Sequence, residues 1–137
     1  MIEVFAKAAC EFVGTAAIVF FASGAVMVSA VLGAIPTPLL AGSASGLVVM
    51  IVVWSFGGIS GAHVNPALTL VFALTRRFSW RLVPIYIVAQ MLGSVAGAGL
   101  LYGILGTSAN MGANLPHVDL GVQPLGAFAI EVWLSFL

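Results

Sequence analysis

The residues with a chemical reading gather in one uncharged stretch, Gly57 to Thr75, where Gly57-Gly58, Ser60-Gly61 and Asn65-Pro66 interrupt any continuous helix. Asn65-Pro66-Ala67 fits a helix start. Asparagine is a preferred N-cap because its side-chain oxygen accepts an otherwise orphaned backbone N–H, and proline suits the first helical position because it has no N–H to orphan. A helix from Pro66 through Leu74 would be about 14 Å long, roughly half of a bilayer core of about 30 Å. Its N-terminus carries about half a positive charge, which repels cations in a narrow pore. After capping, the Asn65 amide still has N–H donors to offer. Gly61, Ala62, His63 and Val64, read as extended, line the same path with carbonyl acceptors. Donors at the middle and acceptors along one wall describe a conduit for small polar molecules. A helix-loop-helix packed inside another kind of polytopic protein, with Asn65 as an ordinary cap, satisfies the same spacing.

The elements that must position this stretch follow from composition. The chain is 62% hydrophobic and 6% charged, with no charged side chain between Glu11 and Arg76. A soluble domain carries about 25% charged residues, so this surface is expected to face lipid. Zero net charge leaves no nucleic-acid footprint, and a single cysteine, Cys10, excludes an internal disulfide or a thiolate metal cluster. The expected architecture is an all-α membrane protein in one domain, residues 1–137. Spanning helices are expected over about residues 5–32, 39–56 and 82–105, with a re-entrant half-helix over residues 66–74. A fourth stretch, Leu125 to Leu137, would be only about 20 Å long. It reads as the start of a fourth span, and the chain as a truncated piece of a longer one.

Pro36-Thr37-Pro38 forces a turn between the first two spans. The uncharged run from Phe12 to Ile35 is too long for a signal peptide. Arg76, Arg77 and Arg81 place their loop, and with it the N-terminus, on the cytoplasmic side, and the loop from Gly106 to Gln123 on the other. Gly42 and Gly46, Gly93 and Gly97, and Gly99 and Gly103 each stand four apart, spacing that permits close helix contact. A phosphate-binding loop at Gly97-Ala98-Gly99 would need a preceding strand and a third glycine, and has neither.

Ser60-Gly61-Ala62-His63-Val64-Asn65-Pro66-Ala67-Leu68-Thr69-Leu70 resembles the first signature of the aquaporin and glyceroporin superfamily, the major intrinsic proteins. Glu11-Phe12-Val13-Gly14-Thr15 and Ala89-Gln90-Met91-Leu92-Gly93 extend the resemblance to both flanking spans. It implies an aquaporin-like first repeat, one half of an inverted repeat of six spans and two half-helices. It also implies assembly as a homotetramer in a lipid bilayer and passive flow of water and small neutral solutes, with no cofactor, metal or catalytic residue. Carried over residue by residue, Asn65, Pro66 and Ala67 form the first pore motif. Glu11 and Glu131 are buried carboxylates holding the half-helix loops, and Gln90 and His63 support the same loops. Ala129, Glu131 and Ser135 echo Ala9, Glu11 and Thr15, as if opening the second repeat. An ionised side chain at mid-membrane costs a few kcal/mol and therefore faces the protein interior; for Glu11 a place in the headgroup layer stays open. His63 reads as a bracing residue and His117 as solvated.

Family members place a bulky aromatic twenty residues before the pore asparagine, where this chain has Ser45. A hydroxyl in place of a ring widens that filter. Arg76-Arg77-Phe78-Ser79-Trp80 and Val83-Pro84 resemble the nodulin-type and related bacterial branch, which passes glycerol and undissociated metalloid acids as well as water. Two other classes compete. Gly58-Ile59-Ser60-Gly61 matches the nucleophile motif of intramembrane serine proteases, but a nucleophile needs a base within about 3 Å, and His63 shares its loop. The chain alone is also readable as a non-transporting truncated subunit.

Overall fold

The computed structural model describes residues 2–33, 37–113 and 121–136. His117, Pro36 and Leu137 therefore lie outside the described residues. The elements in chain order are α1 (Ile2–Leu32), α2 (Thr37–Phe56), α3 (Pro66–Leu74), α4 (Val83–Leu105), a 3-10 turn (Ser108–Gly112) and α5 (Pro124–Phe136). Lipid offers no hydrogen bonds, so a spanning segment must satisfy its backbone internally, which a helix does. At 1.5 Å per residue the 31, 20 and 23 residues of α1, α2 and α4 reach about 46, 30 and 34 Å. Each is long and apolar enough to cross a bilayer, and the chain is an all-helical integral membrane protein.

The packing sorts residues in the manner of a membrane protein. The largest fully buried side chains are Tyr86, Met27, Gln90, Glu11 and Thr69, so polar groups fill the centre. Large apolar side chains face outward, Trp54 at 89% exposure and Val95 at 68% among them. A smaller apolar cluster of Val48, Val52 and Ala62, flanked by Ala17, Ile18, Phe56 and Val64, joins α1 and α2 to the loop before α3.

Two glycines set how closely α1 and α4 approach. A Cβ on Gly93 would collide with the backbone oxygen of Phe12, and one on Gly97 with that of Ala16. The residue numbers rise together across this contact, so α1 and α4 run parallel. The start of α1 and the 76–81 loop that leads into α4 consequently share one face of the molecule. The other spaced glycines differ from expectation. A Cβ at Gly42, Gly46, Gly99 or Gly103 would meet nothing within 4 Å, because those positions face away from every described helix. Small-residue spacing permits close contact but cannot supply the partner.

α3 differs from its neighbours in length. Its nine residues reach about 14 Å, from the level of Glu11, about 14 Å along α1 from Ile2, back to the arginine face.

Candidate functional site

α2 stops at Phe56 because Gly57 and Gly58 follow. The chain then curls once more, Ser60 N–H donating to Phe56 O at 2.9 Å and Gly61 N–H to Gly57 O at 3.1 Å. From Gly61 to Val64 the backbone is not extended, contrary to expectation. Gly61, Ala62 and Val64 take φ values of +89°, +46° and +42°, left-handed backbone that costs a residue with a Cβ about 1–3 kcal/mol. The cause of the departure is a single carboxylate. Glu11, fully buried in α1, accepts from His63 N–H at 3.0 Å and Val64 N–H at 2.6 Å, and the left-handed turns aim both donors at it. Ser60 Oγ adds a third donor at 2.7 Å and Gln90 Nε2 a fourth at 2.8 Å. An acceptor-only carboxylate meeting four donors is fully used, and hydrogen bonds to a charged acceptor contribute about 1.5–3 kcal/mol each. That exceeds the backbone strain. Gly14, one turn beyond Glu11, lets the loop pass; a Cβ there would stand 2.7 Å from Val64 Cγ1.

A second layer ties the loop to α3 and α4. Gln90 Nε2 also donates to Thr69 Oγ1 at 3.0 Å, and Thr69 Oγ1 donates to Asn65 O at 3.0 Å. The single hydroxyl proton of Thr69 is thus committed, so His63 Nδ1, 3.2 Å from the same oxygen, acts as the donor. This network assigns the tautomer. The His63 ring sits among Phe72, Phe78 and Tyr86, with centroids 4.8, 4.6 and 5.2 Å away. The Tyr86 hydroxyl donates to Ser60 O at 2.7 Å.

These braces hold up the end of α3. Asn65 is extended, at φ −152° and ψ 124°, and its Oδ1 accepts from Ala67 N–H at 2.8 Å and, more weakly, from Leu68 N–H at 3.4 Å. Asn65 itself is exposed, and among the described residues its amide nitrogen has no acceptor. Nor does any described N–H or O–H donate to the carbonyl oxygens of Gly61, Ala62, His63 or Val64.

Of the residues singled out from sequence, the structure brings Glu11, Gln90, His63 and the Asn65 cap into one network. Glu131 is exposed on α5 and is not part of it, and Ser45 is half-exposed on α2 without a hydrogen bond among the described residues. Sequence reasoning gave no role to the Thr69 or Tyr86 side chains, or to Phe72 and Phe78. The helical period offered a signal for Thr69, four residues after Asn65; the aromatic cage has no local pattern. The protease arrangement does not form: Ser60 Oγ donates to Glu11 and accepts from Ala62 N–H at 3.0 Å, while the polar contact of the His63 ring is with Thr69. Among the described residues no group of three or more His, Cys, Asp or Glu could hold a metal. What remains chemically, among the described residues, is a fixed amide donor at the start of α3 beside unpartnered carbonyl acceptors.

The family model for major intrinsic proteins matches residues 1–137. The chain is 35% identical over 141 residues to a probable nodulin-type (NIP-type) aquaporin of Nicotiana alata, covering 100% of this chain and 49% of that protein. It is 37% identical over 135 residues to aquaporin NIP6-1 of Arabidopsis thaliana, covering 98% and 43%. To aquaporin A of Dictyostelium discoideum it is 36% identical over 127 residues, covering 91% and 46%. These relatives are channels and not enzymes, and the chain spans less than half the length of each.

Proposed function

Because the chain belongs to the major intrinsic protein family, we propose that it supplies the first pore-forming half of a channel for water and small neutral solutes. The observation that carries this reading is the Asn65 side chain, exposed at mid-depth with its oxygen committed to capping α3 and its amide N–H groups uncommitted. A passing water or hydroxyl could accept from that amide and then donate to the open carbonyls of Gly61 to Val64. Such a wall supports molecules that both donate and accept, and passage needs no covalent step.

The solute class we propose is broader than water: small neutral hydroxylated molecules such as glycerol or undissociated metalloid acids. Ser45, in place of a ring, supports it, as does similarity to nodulin-type aquaporins. The proposal includes a cytoplasmic N-terminus, a homotetramer, and a second half that brings a Glu131-held loop and its own pore asparagine to face Asn65. The chain alone is then one wall and should not conduct.

Liposome swelling tests this. A full-length channel carrying this half should swell vesicles in water, glycerol and boric acid gradients, whereas the 137-residue chain reconstituted alone should give no flux above empty vesicles. Asn65→Asp keeps the cap, since aspartate caps about as well as asparagine, but replaces the amide donor with a negative charge. It should cut solute flux while leaving thermal stability unchanged. Water swelling without glycerol or boric acid swelling would refute the broad solute class, and unaltered flux in Asn65→Asp would refute the role of the amide.

A further inference from the structure

Three of the four basic residues, Arg76, Arg77 and Arg81, fall within the loop between α3, which ends at Leu74, and α4, which starts at Val83. All three are exposed, and among the described residues none has a counter-ion. The described acids are engaged or set apart. Glu3, on the same face, is paired with Lys7 at 2.6 Å, Glu11 is buried in its network, and Glu131 stands within the apolar helix α5.

Arginines just past a helix C-terminus can bind its last carbonyls. Here three of those acceptors are occupied by the loop itself. Val71 O accepts from Thr75 N–H at 2.9 Å and from Thr75 Oγ1 at 2.8 Å. Phe72 O accepts from the backbone N–H groups of Arg77 and Phe78, and Ala73 O from that of Arg76. Among the described residues the guanidinium groups have no protein acceptor. The loop carrying them is nevertheless fixed. Phe78 turns inward, its ring 4.6 Å from His63 and 4.7 Å from Tyr86, and Leu82 N–H to Ser79 O at 3.0 Å closes the turn into α4. Among these arginines Trp80 is 57% exposed. An indole belongs in the interfacial layer of a bilayer, where its ring is apolar and its N–H is wet.

We infer that the 76–81 loop is a docking site for the headgroup of an anionic phospholipid, with Arg76, Arg77 and Arg81 on the phosphate and Trp80 against the adjoining acyl chain. Guanidinium geometry suits phosphate oxygens. The site lies at the membrane surface because α3 ends there and α4 begins there. An exposed indole beside the arginines favours a lipid over a soluble anion, which offers it nothing to pack on.

Trp80 reports the site directly once Trp54→Phe and Trp133→Phe remove the other two indoles. The full chain is placed in phosphatidylcholine nanodiscs containing a minor fraction of brominated phosphatidylglycerol or, in parallel, of brominated phosphatidylcholine. At low salt the anionic lipid should quench Trp80 more strongly. Its local enrichment should fall about fivefold for each of R76Q, R77Q and R81Q, as the surface contribution of one basic residue implies, and should shrink as salt rises. Equal quenching by the two lipids with all arginines in place overturns the proposal, and so does an anionic preference that survives loss of all three. Selective removal of the preference by inorganic phosphate at matched ionic strength also overturns it, by assigning the site to a soluble anion.

Discussion

Glu11→Gln should release the loop before α3 while leaving the helices in place. The carboxylate receives Ser60 Oγ and His63 N–H on Oε1, and Val64 N–H and Gln90 Nε2 on Oε2. A glutamine amide keeps the shape but has one acceptor oxygen. If that oxygen stays toward Ser60 and His63, its NH2 group confronts the donors of Val64 and Gln90. In the flipped orientation it confronts His63 N–H, and the Ser60 hydroxyl must turn to accept. One or two buried donors are therefore orphaned, each at about 1–3 kcal/mol. The left-handed strain of Ala62 and Val64 is present in parent and variant alike and adds nothing to the difference. A loss of about 1 kcal/mol, the low end, corresponds to roughly fivefold in the opening equilibrium that governs amide exchange, and a loss of about 3 kcal/mol to roughly a hundredfold. Hydrogen–deuterium exchange in detergent or nanodiscs reads this at His63 and Val64. The expected result is an acceleration of about fivefold or more at these two amides, with α1 and α4 amides near Gly93 and Gly97 changed far less. Unchanged exchange at His63 and Val64 would refute the assignment of Glu11 as the loop's anchor.

Two further substitutions probe the layers around that anchor. Gly93→Ala or Gly97→Ala inserts a methyl against the backbone of Phe12 or Ala16, and thermal unfolding should show a loss of about 1–3 kcal/mol from overpacking. Gly99→Ala, in open space on the same helix, should instead be neutral or gain up to about 1 kcal/mol from helix propensity. Thr69→Val preserves volume but orphans one Gln90 proton and His63 Nδ1–H, so melting should report a loss of about 2–6 kcal/mol, taking about 1–3 per buried unsatisfied donor. Thr69→Ser should recover most of it, and equal stability of the two variants would remove Thr69 from the network.

The legible part of the fold was set by lipid and by local chemistry. Uncharged runs longer than a bilayer core can only be helices, so α1, α2 and α4 are visible in residue order alone, and Asn65-Pro66 marks the start of α3 because capping is decided within three residues. The backbone of Gly61 to Val64 was not legible. Two of its three left-handed residues are Ala62 and Val64, types that disfavour such φ values, and what holds them is a carboxylate some fifty positions away in sequence. For the same reason Gly93 and Gly97 could not be told from Gly99 and Gly103 by spacing. Only the position of Phe12 and Ala16 on a different helix makes the first pair necessary.

That distant carboxylate also changes the electrostatic account of the site. A half-helix aiming its N-terminus at mid-membrane offers about half a positive charge, which on its own suggests repulsion of cations by the helix dipole. Glu11 Oε2 lies 2.6 Å from Val64 N, one residue before the Asn65 cap. A full negative charge is thus fixed on the protein side of the same helix end. It offsets much of the dipole's positive potential and leaves the Asn65 N–H groups, uncommitted among the described residues, as the polar donors exposed at this helix end. In the pore proposed above, selection therefore rests on hydrogen-bond chemistry and not on cation exclusion by α3 alone. The strained loop and the buried charge are accordingly one device. The charge holds the backbone in a conformation that positions the cap, and the price of burying it is met by donors that the same conformation supplies.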